Sequence, residues 1–324
     1  VSDPLARAEL IEDRGEAAAS DQFFRSRPFL DAEGVTHTLR IAAGEAELLA
    51  PLIVSPIDGG PERDAISPYG YPGIADSASD FDHAGVGSKS DAPRDPAAID
   101  FSATGLVTVF LRHTLDRPPL AGASERNVVQ IADPELPPKS RPSDRNQINK
   151  NLRRGYELLV VPGPETSPGQ RAGFLAAYEQ TMRRTGAAER YFFGAPYFDL
   201  ILESPQTWLV LAEAPGGETA AASIAARSDG YLHYYLSGSA DSHLRDSPMK
   251  NVLARLVELS AELGLPLNLG GGISPGDPLE EFKRGFANRE LAWHTSEIVC
   301  DAPAYERLSA GRDPGDFFPA YRAS

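Results

Sequence analysis

The chain has 324 residues, 41% of them hydrophobic and 24% charged, a globular composition at a length that favours two domains over one core. Its net charge of -15 disfavours tight nonspecific nucleic-acid binding but leaves room for a local basic face that meets an RNA end. No stretch approaches about 20 consecutive apolar residues, so no membrane span is expected.

The first residues, VSDPLARAELIEDRGEAAASDQ, have neither a basic start nor an apolar run. They are expected to be no signal peptide, and a cytoplasmic protein is expected. Residues 1–30 read as helix and connector. GVTHTLRIAAG and AELLAPLIVSPI read as two strands joined by a turn. Two tyrosines between turn-formers, Tyr69 and Tyr71 in SPYGYPG, suit either a binding loop or a turn pinned by its aromatics. Residues 74–96 are rich in Gly, Pro, Ser and Asp and read as a mobile loop. LVTVFLRHTL and RNVVQIAD are further strands, and DPELPPKSRPSDR is a boundary before the helix NQINKNLRRG. Around that helix Arg145, Lys150, Arg153 and Arg154 form either a solvated face or a basic contact for an RNA donor.

The second half is more regular. The strand YELLVVPG precedes the helix SPGQRAGFLAAYEQTMRRTG. The aromatic-rich AERYFFGAPYFDLILES follows, with Tyr197 the tyrosine expected to present its hydroxyl. TWLVLAEA, TAAASIAAR and YLHYYLSGS are separated by turns short enough to imply an antiparallel meander. Strand alternation would put Tyr231, His233 and Tyr235 on one face and Leu232, Tyr234 and Leu236 on the other. The first face is polar enough to line a cleft, although half-buried structural side chains fit it equally. A long helix, SPMKNVLARLVELSAELG, leads to the strand LPLNLGGG and then to DPLEEFKRGFA. ELAWHTSEIVC is a last strand.

In DPLEEFKRGFA, Asp277 is an N-cap and Leu279, Phe282 and Phe286 share a face. Lys283 lies roughly 40° from Leu279, so its stem follows the apolar stripe. Its ammonium either reaches water or is held at a cleft, where a compact cation stabilises developing negative charge. The three glycines before it permit close approach of a ligand or another backbone. Neither a G-x-G-x-x-G opening a helix nor a G-K-[ST] occurs, no nucleophile elbow is present, and the single cysteine, Cys300, sits in a strand. No Cys/His set has metal-ligand spacing, so neither metal nor cofactor is expected. Direct attack of an amine on an activated acyl donor fits this inventory better than hydrolysis through a covalent intermediate.

The order of these pieces resembles the FemABX-like family of aminoacyl-tRNA-dependent transferases. The resemblance rests on RNVVQIAD, RNQINKNLRRGYEL, AAYEQTMRRTGA, PYF, YLHYYLSGS, the helix from SPMKNVLARLVELS, and LNLGGGI followed by LEEFKRGF. It is densest from about residue 127 to 290, with SPYGYPG similar to a loop of the family's first domain. It implies an α/β fold of two GNAT-like domains with mixed, largely antiparallel sheets, here expected at 1–140 and 141–324. It also implies a transfer that joins the aminoacyl group of an aminoacyl-tRNA, by an amide bond, to an amine of a small molecule or peptide, in natural-product (antibiotic) biosynthesis or cell-wall precursor modification. Lys283 matches the family's functional lysine, and Tyr197 and Tyr235 fall near tyrosines that contact the acceptor. His233, Tyr69 and Tyr71 complete the expected acceptor side. Asn268 stands where the family usually has Asp, and Ala287 where a Gly often closes the last motif. The alternatives are an acyl-CoA-dependent N-acyltransferase and a non-catalytic relative. Against the first, the place of a Q/R-x-x-G-x-G/A pyrophosphate loop reads DSHLRDSPMKN, without the glycines.

Overall fold

The computed structural model describes residues 6–76, 94–274, 276–313, 315 and 317–323. The chain divides into two compact units. Unit 1 is Val1–Arg126 with Trp293–Ser324, and unit 2 is Asn127–Ala292.

Unit 1 opens with a strand, β1 (Ala6–Ile11), where the sequence suggested helix. Local helix propensity yields to tertiary pairing here: Ala6 and Ala8 are buried, and the strand runs antiparallel to β2 (His37–Ala43), with Leu10 opposite Leu39. Helix α1 (Arg27–Ala32) comes between them. β3 (Ala46–Pro56) turns back on β2, with Gly44 in the tight turn at φ 62°. β4 (Arg63–Ile66), β5 (Ala75–Asp76), β6 (Ile99–Asp100) and β7 (Leu106–Arg112) follow. Of the segment 74–96 expected to be a mobile loop, Ala75 and Asp76 pair with β3, whereas residues 77–93 lie outside the described residues.

The chain enters unit 2 along β8 (Ser124–Ala132). Helix α2 (Pro142–Arg153) starts four residues earlier than the sequence suggested, because Pro142 fits the first turn, where no N–H is needed. β9 (Glu157–Pro162), α3 (Pro168–Thr185) and α4 (Ala195–Ile201) lead into the meander of β10 (Thr207–Glu213), β11 (Thr219–Ser228) and β12 (Tyr231–Ser239). α5 (Met249–Leu263), β13 (Leu267–Gly270) and α6 (Pro278–Arg284) complete the unit. The strand order is β8-β13-β12-β11-β10-β9, antiparallel except for the parallel pair β12–β13.

Opposite faces of this sheet carry different helices. Val252, Leu253, Leu256 and Leu259 of α5 pack on Val210, Ala221, Ala225 and Leu232. On the other face Gly238 meets the backbone of α3 so closely that an added Cβ would lie 2.4 Å from Ala177.

The division at 140 expected from the sequence differs from the observed one. β14 (Arg289–Val299) starts in unit 2, but its second half, Thr295–Val299, pairs with β7 of unit 1. Helix α7 (Ala302–Ser309) then packs Ala304 with Val107, Ile57 and Tyr321 of the same unit. The boundary falls at 126/127, and unit 1 is built from both ends of the chain.

Candidate active site

Two features of β12 open unit 2's sheet. Its parallel pairing with β13 is confined to Leu232 with Leu267 and His233 with Asn268, so the two strands part beyond that point. A bulge on β12 also sets Tyr234 opposite Ala225 and Leu236 opposite Ile224, leaving Tyr235 as the extra residue. The strict alternation expected from the sequence therefore fails. One inserted residue inverts the faces, and Leu236 returns to the side that carries His233.

His233 braces the closed end of the notch rather than offering itself to a ligand. It is 2% exposed. Its Nδ1 accepts from the Asn268 amide at 3.1 Å, so Nε2 carries the proton and donates to the Ser228 carbonyl at 3.2 Å. Burial pushes its pKa down to about 4, which keeps the ring neutral. The His233 expected on the acceptor side is thus held at both ring nitrogens by protein groups. Asn268 also accepts from the Gly270 N–H at 2.8 Å. This position uses a donor and an acceptor together, which an ionised aspartate cannot supply.

The glycine run is required by contact on each side. A Cβ at Gly270 would stand 3.2 Å from the Lys283 Nζ, one at Gly271 2.5 Å from the Asn127 amide, and one at Gly272 2.5 Å from the Asp277 carboxylate. Asp277 caps α6 through the Glu280 N–H and accepts from the N–H groups of Ile273 and Ser274 as well. These backbone donors hold its carboxyl below the usual carboxylate range.

Helix α6 departs in part from the burial expected of it: Phe282 and Phe286 pack into the core, but Leu279 does not. Leu279 is 39% exposed, whereas Glu280 and Lys283 are buried. The Lys283 ammonium does not snorkel to water: Nζ donates to the Gly271 carbonyl at 2.7 Å and lies 5.9 Å from the centre of the Tyr234 ring. Burial lowers its pKa from 10.5 to about 8, against the opposing pull of the Asp277 charge. A charged residue turned inwards while a leucine turns out is a local rule broken, and such breaks gather at functional sites.

Tyr197 and Tyr235 are brought together, their hydroxyls 2.7 Å apart, and Phe193 stacks on Tyr197 at 4.1 Å. Tyr69 and Tyr71 belong to unit 1, where the Tyr69 N–H donates to Glu33 and the Tyr71 ring meets Phe24 and Trp293 edge-on. The basic residues divide. Arg145, Lys150 and Arg153 are exposed on α2. Arg154 is instead committed to Asp246 in an ion pair. Cys300, in unit 1, is half-buried and its thiol is pushed up to about 12, which leaves it inert as a nucleophile.

The turn between β12 and α5, where an acyl-CoA enzyme's pyrophosphate loop was sought, is closed by side chains. Tyr156 bonds His243 at 2.9 Å and Asp246 at 3.1 Å, and His243 reaches Glu218. Gln147 and Asn151 both donate to the Asp246 carbonyl. Neither this clasp nor Tyr234 under Lys283 leaves a local signal, because each partner comes from a distant part of the chain.

Residues 139–284 match the model of the acetyltransferase (GNAT) domain. Among curated proteins none matches the chain significantly. Among solved structures the chain is similar to FemX, with a TM-score of 0.63 and 12% identity over 92% of this chain and 99% of that one. It is also similar to the C-terminal domain of a protein described as a lysylphosphatidylglycerol synthetase from Agrobacterium fabrum, with a TM-score of 0.56 and 12% identity over 90% and 92%. The FemABX-like, GNAT-type resemblance read from the sequence thus holds for the fold, and the chain has a mixed α/β architecture in which residues 139–284 match the GNAT model. Among the described residues no helix is long and apolar enough to cross a membrane.

Proposed function

We propose that this protein transfers the aminoacyl group of an aminoacyl-tRNA to an amine of a small molecule or peptide, forming an amide bond. The observation that carries this reading is the buried Lys283 ammonium, held on the Gly271 carbonyl where β12 and β13 part. The GNAT domain match supports acyl transfer as the reaction class. The fold shared with FemX, and with a domain whose description names a lysyl product, supports an aminoacyl donor.

The acceptor amine attacks the ester carbonyl and a C–N bond forms. Negative charge gathers on the carbonyl oxygen, then on the departing ribose oxygen as the C–O bond breaks. The ribose hydroxyl gains one proton and the attacking nitrogen loses one. Lys283 stabilises that charge, in a site where little water competes. Its lowered pKa also suits it to lend a proton to the leaving oxygen near neutral pH. On this reading Tyr197 and Tyr235 orient the acceptor, and Arg145, Lys150 and Arg153 meet the donor's phosphates.

The acyl-CoA alternative is disfavoured by the clasp among Tyr156, His243, Glu218 and Asp246, which occupies the turn that would cradle a pyrophosphate. Charged total tRNA is incubated with the protein and candidate amines, with and without ribonuclease, and products are read by mass spectrometry. A ribonuclease-sensitive amide supports the proposal. Product that survives ribonuclease, or calorimetric binding of coenzyme A, transfers the case to the CoA reading.

A further inference from the structure

Gln130 is fully buried, and its Oε1 has no hydrogen-bond partner among the described residues. The orientation of its amide is fixed by a neighbour: Nε2 donates to the Glu290 carboxylate at 3.0 Å, so the carbonyl end must point away from Glu290. A buried acceptor left in this state is costly, and such groups ask for an explanation.

The register supplies one. Gln130 stands opposite Gly270, the glycine whose missing Cβ makes room for the Lys283 Nζ. On β8, Gln130 lies on the same face as Ala132, which packs with Phe286 beside α6. Glu290, the partner of its amide nitrogen, also meets Arg284 of α6. Gln130 is thus the cross-strand partner of the glycine that faces the Lys283 Nζ. An ammonium has three N–H donors, and Lys283 gives one to Gly271.

We propose that Gln130 is a positioning residue for Lys283: a small rotation of the lysine gives its carbonyl a second ammonium N–H, in the free protein as well as with substrate, which aims the third at the reacting oxygen. This gives the buried acceptor a partner, and explains why lysine, with three donors about one atom, stands at 283 in a chain that elsewhere favours arginine. The inference rests on Lys283 being the charge-stabilising cation of the proposed reaction.

Two measurements test it without using that reaction, so its failure and that of the proposed function remain distinct. In the first, Lys283 is labelled with an amine-acylating reagent across a pH series and followed by peptide mass spectrometry. In Gln130→Met the ammonium loses its second acceptor, so labelling at pH 7 is expected to quicken about three- to tenfold, with the midpoint moved to lower pH. An unchanged midpoint overturns the proposal. In the second, melting temperatures are compared for Gln130→Met, Lys283→Met and the double variant. The double variant is expected to lose less than the sum of the singles, and to fold even where Gln130→Met alone does not. Strict additivity, or failure of the double variant to fold, overturns the proposal. If the amide-forming activity is established, Gln130→Met should lower kcat about tenfold with KM for the donor unchanged.

Discussion

The Lys283 ammonium sits 2.7 Å from the Gly271 carbonyl oxygen, beside Gly270, where an added Cβ would stand 3.2 Å from it. Arginine and lysine differ here in shape and in titration, not in charge alone. Lys283→Ala is expected to lower kcat about 100- to 1000-fold, the range for removing one donor to a developing oxyanion, while KM for the acceptor changes little. Lys283→Arg is expected not to rescue, because a guanidinium spreads its donors over a plane and holds its protons too tightly to lend one near neutral pH. Steady-state kinetics with a charged donor check both, and full turnover in Lys283→Ala removes the residue from the mechanism.

The same lysine ties activity and stability to pH in opposite directions. Its folded pKa of about 8 lies below its ordinary 10.5. Below pH 8 both folded and unfolded chains hold the proton, and the folded state bears the full cost of a buried charge. Between about 8 and 10.5 the unfolded chain binds more protons, so stability rises with pH, by about 3 kcal/mol at most for a gap of roughly 2.5 pH units. Activity that depends on the ammonium falls across the same window. Denaturant melts at pH 7.5 and 10 should show this rise in wild type and lose it in Lys283→Met. Asp277→Asn keeps an acceptable N-cap but removes the charge that favours the ammonium, so the falling limb of the rate profile should move to lower pH. A limb that stays in place separates Asp277 from Lys283.

Close backbone approach makes a third expectation. At Gly238 an added Cβ would lie 2.4 Å from backbone atoms of Ala177 and Tyr178, so β12 and α3 would have to separate. Gly238→Ala should destabilise the protein by about 2–3 kcal/mol, in the range of overpacked cores. Gly272→Ala presses on a carboxylate at a loop instead. It should cost less stability and more turnover, because it displaces Asp277. Paired melting and kinetic measurements distinguish the two, and equal stability losses would contradict the assignment.

How much of this was legible in the sequence varied with the length of the interaction. The meander of β10 to β12, the two ends of α5 and the Asp277 cap follow from local patterns. β1 was misread because its pairing with β2 outweighs local helix propensity. The face of α6 was misread at Leu279, which obeys a periodicity that the site does not. The bulge at Tyr235 adds one residue and inverts every side chain beyond it, yet leaves no trace in composition. Lysine 283 itself could be found by its rarity and its motif, whereas Gln130 and Asn127 are ordinary residues until β8 comes to lie beside β13.

The exposed face of α2 carries the last expectation. At 100° per residue Arg145, Lys150 and Arg153 fall within an arc of about 140°, and all three are exposed in a chain of net charge -15. Asp144 and Asn151 occupy the buried side, where Asp144 pairs with Lys250 and Asn151 bonds Asn251. If the donor's phosphates rest on the exposed face, Lys150→Glu with Arg153→Glu should weaken aminoacyl-tRNA binding and reduce the slope of log affinity against log salt by about 0.7–0.9 per lost contact. Turnover of a minimal donor, an aminoacyl ester without the tRNA body, should be unchanged. Arg154→Ala is the matched control. Its guanidinium already belongs to Asp246, so its loss should loosen the β12–α5 turn and lower the melting temperature while leaving the salt slope intact. A salt slope that Lys150→Glu with Arg153→Glu leaves unaltered would mean that the face is merely solvated, and that the donor approaches along some other path.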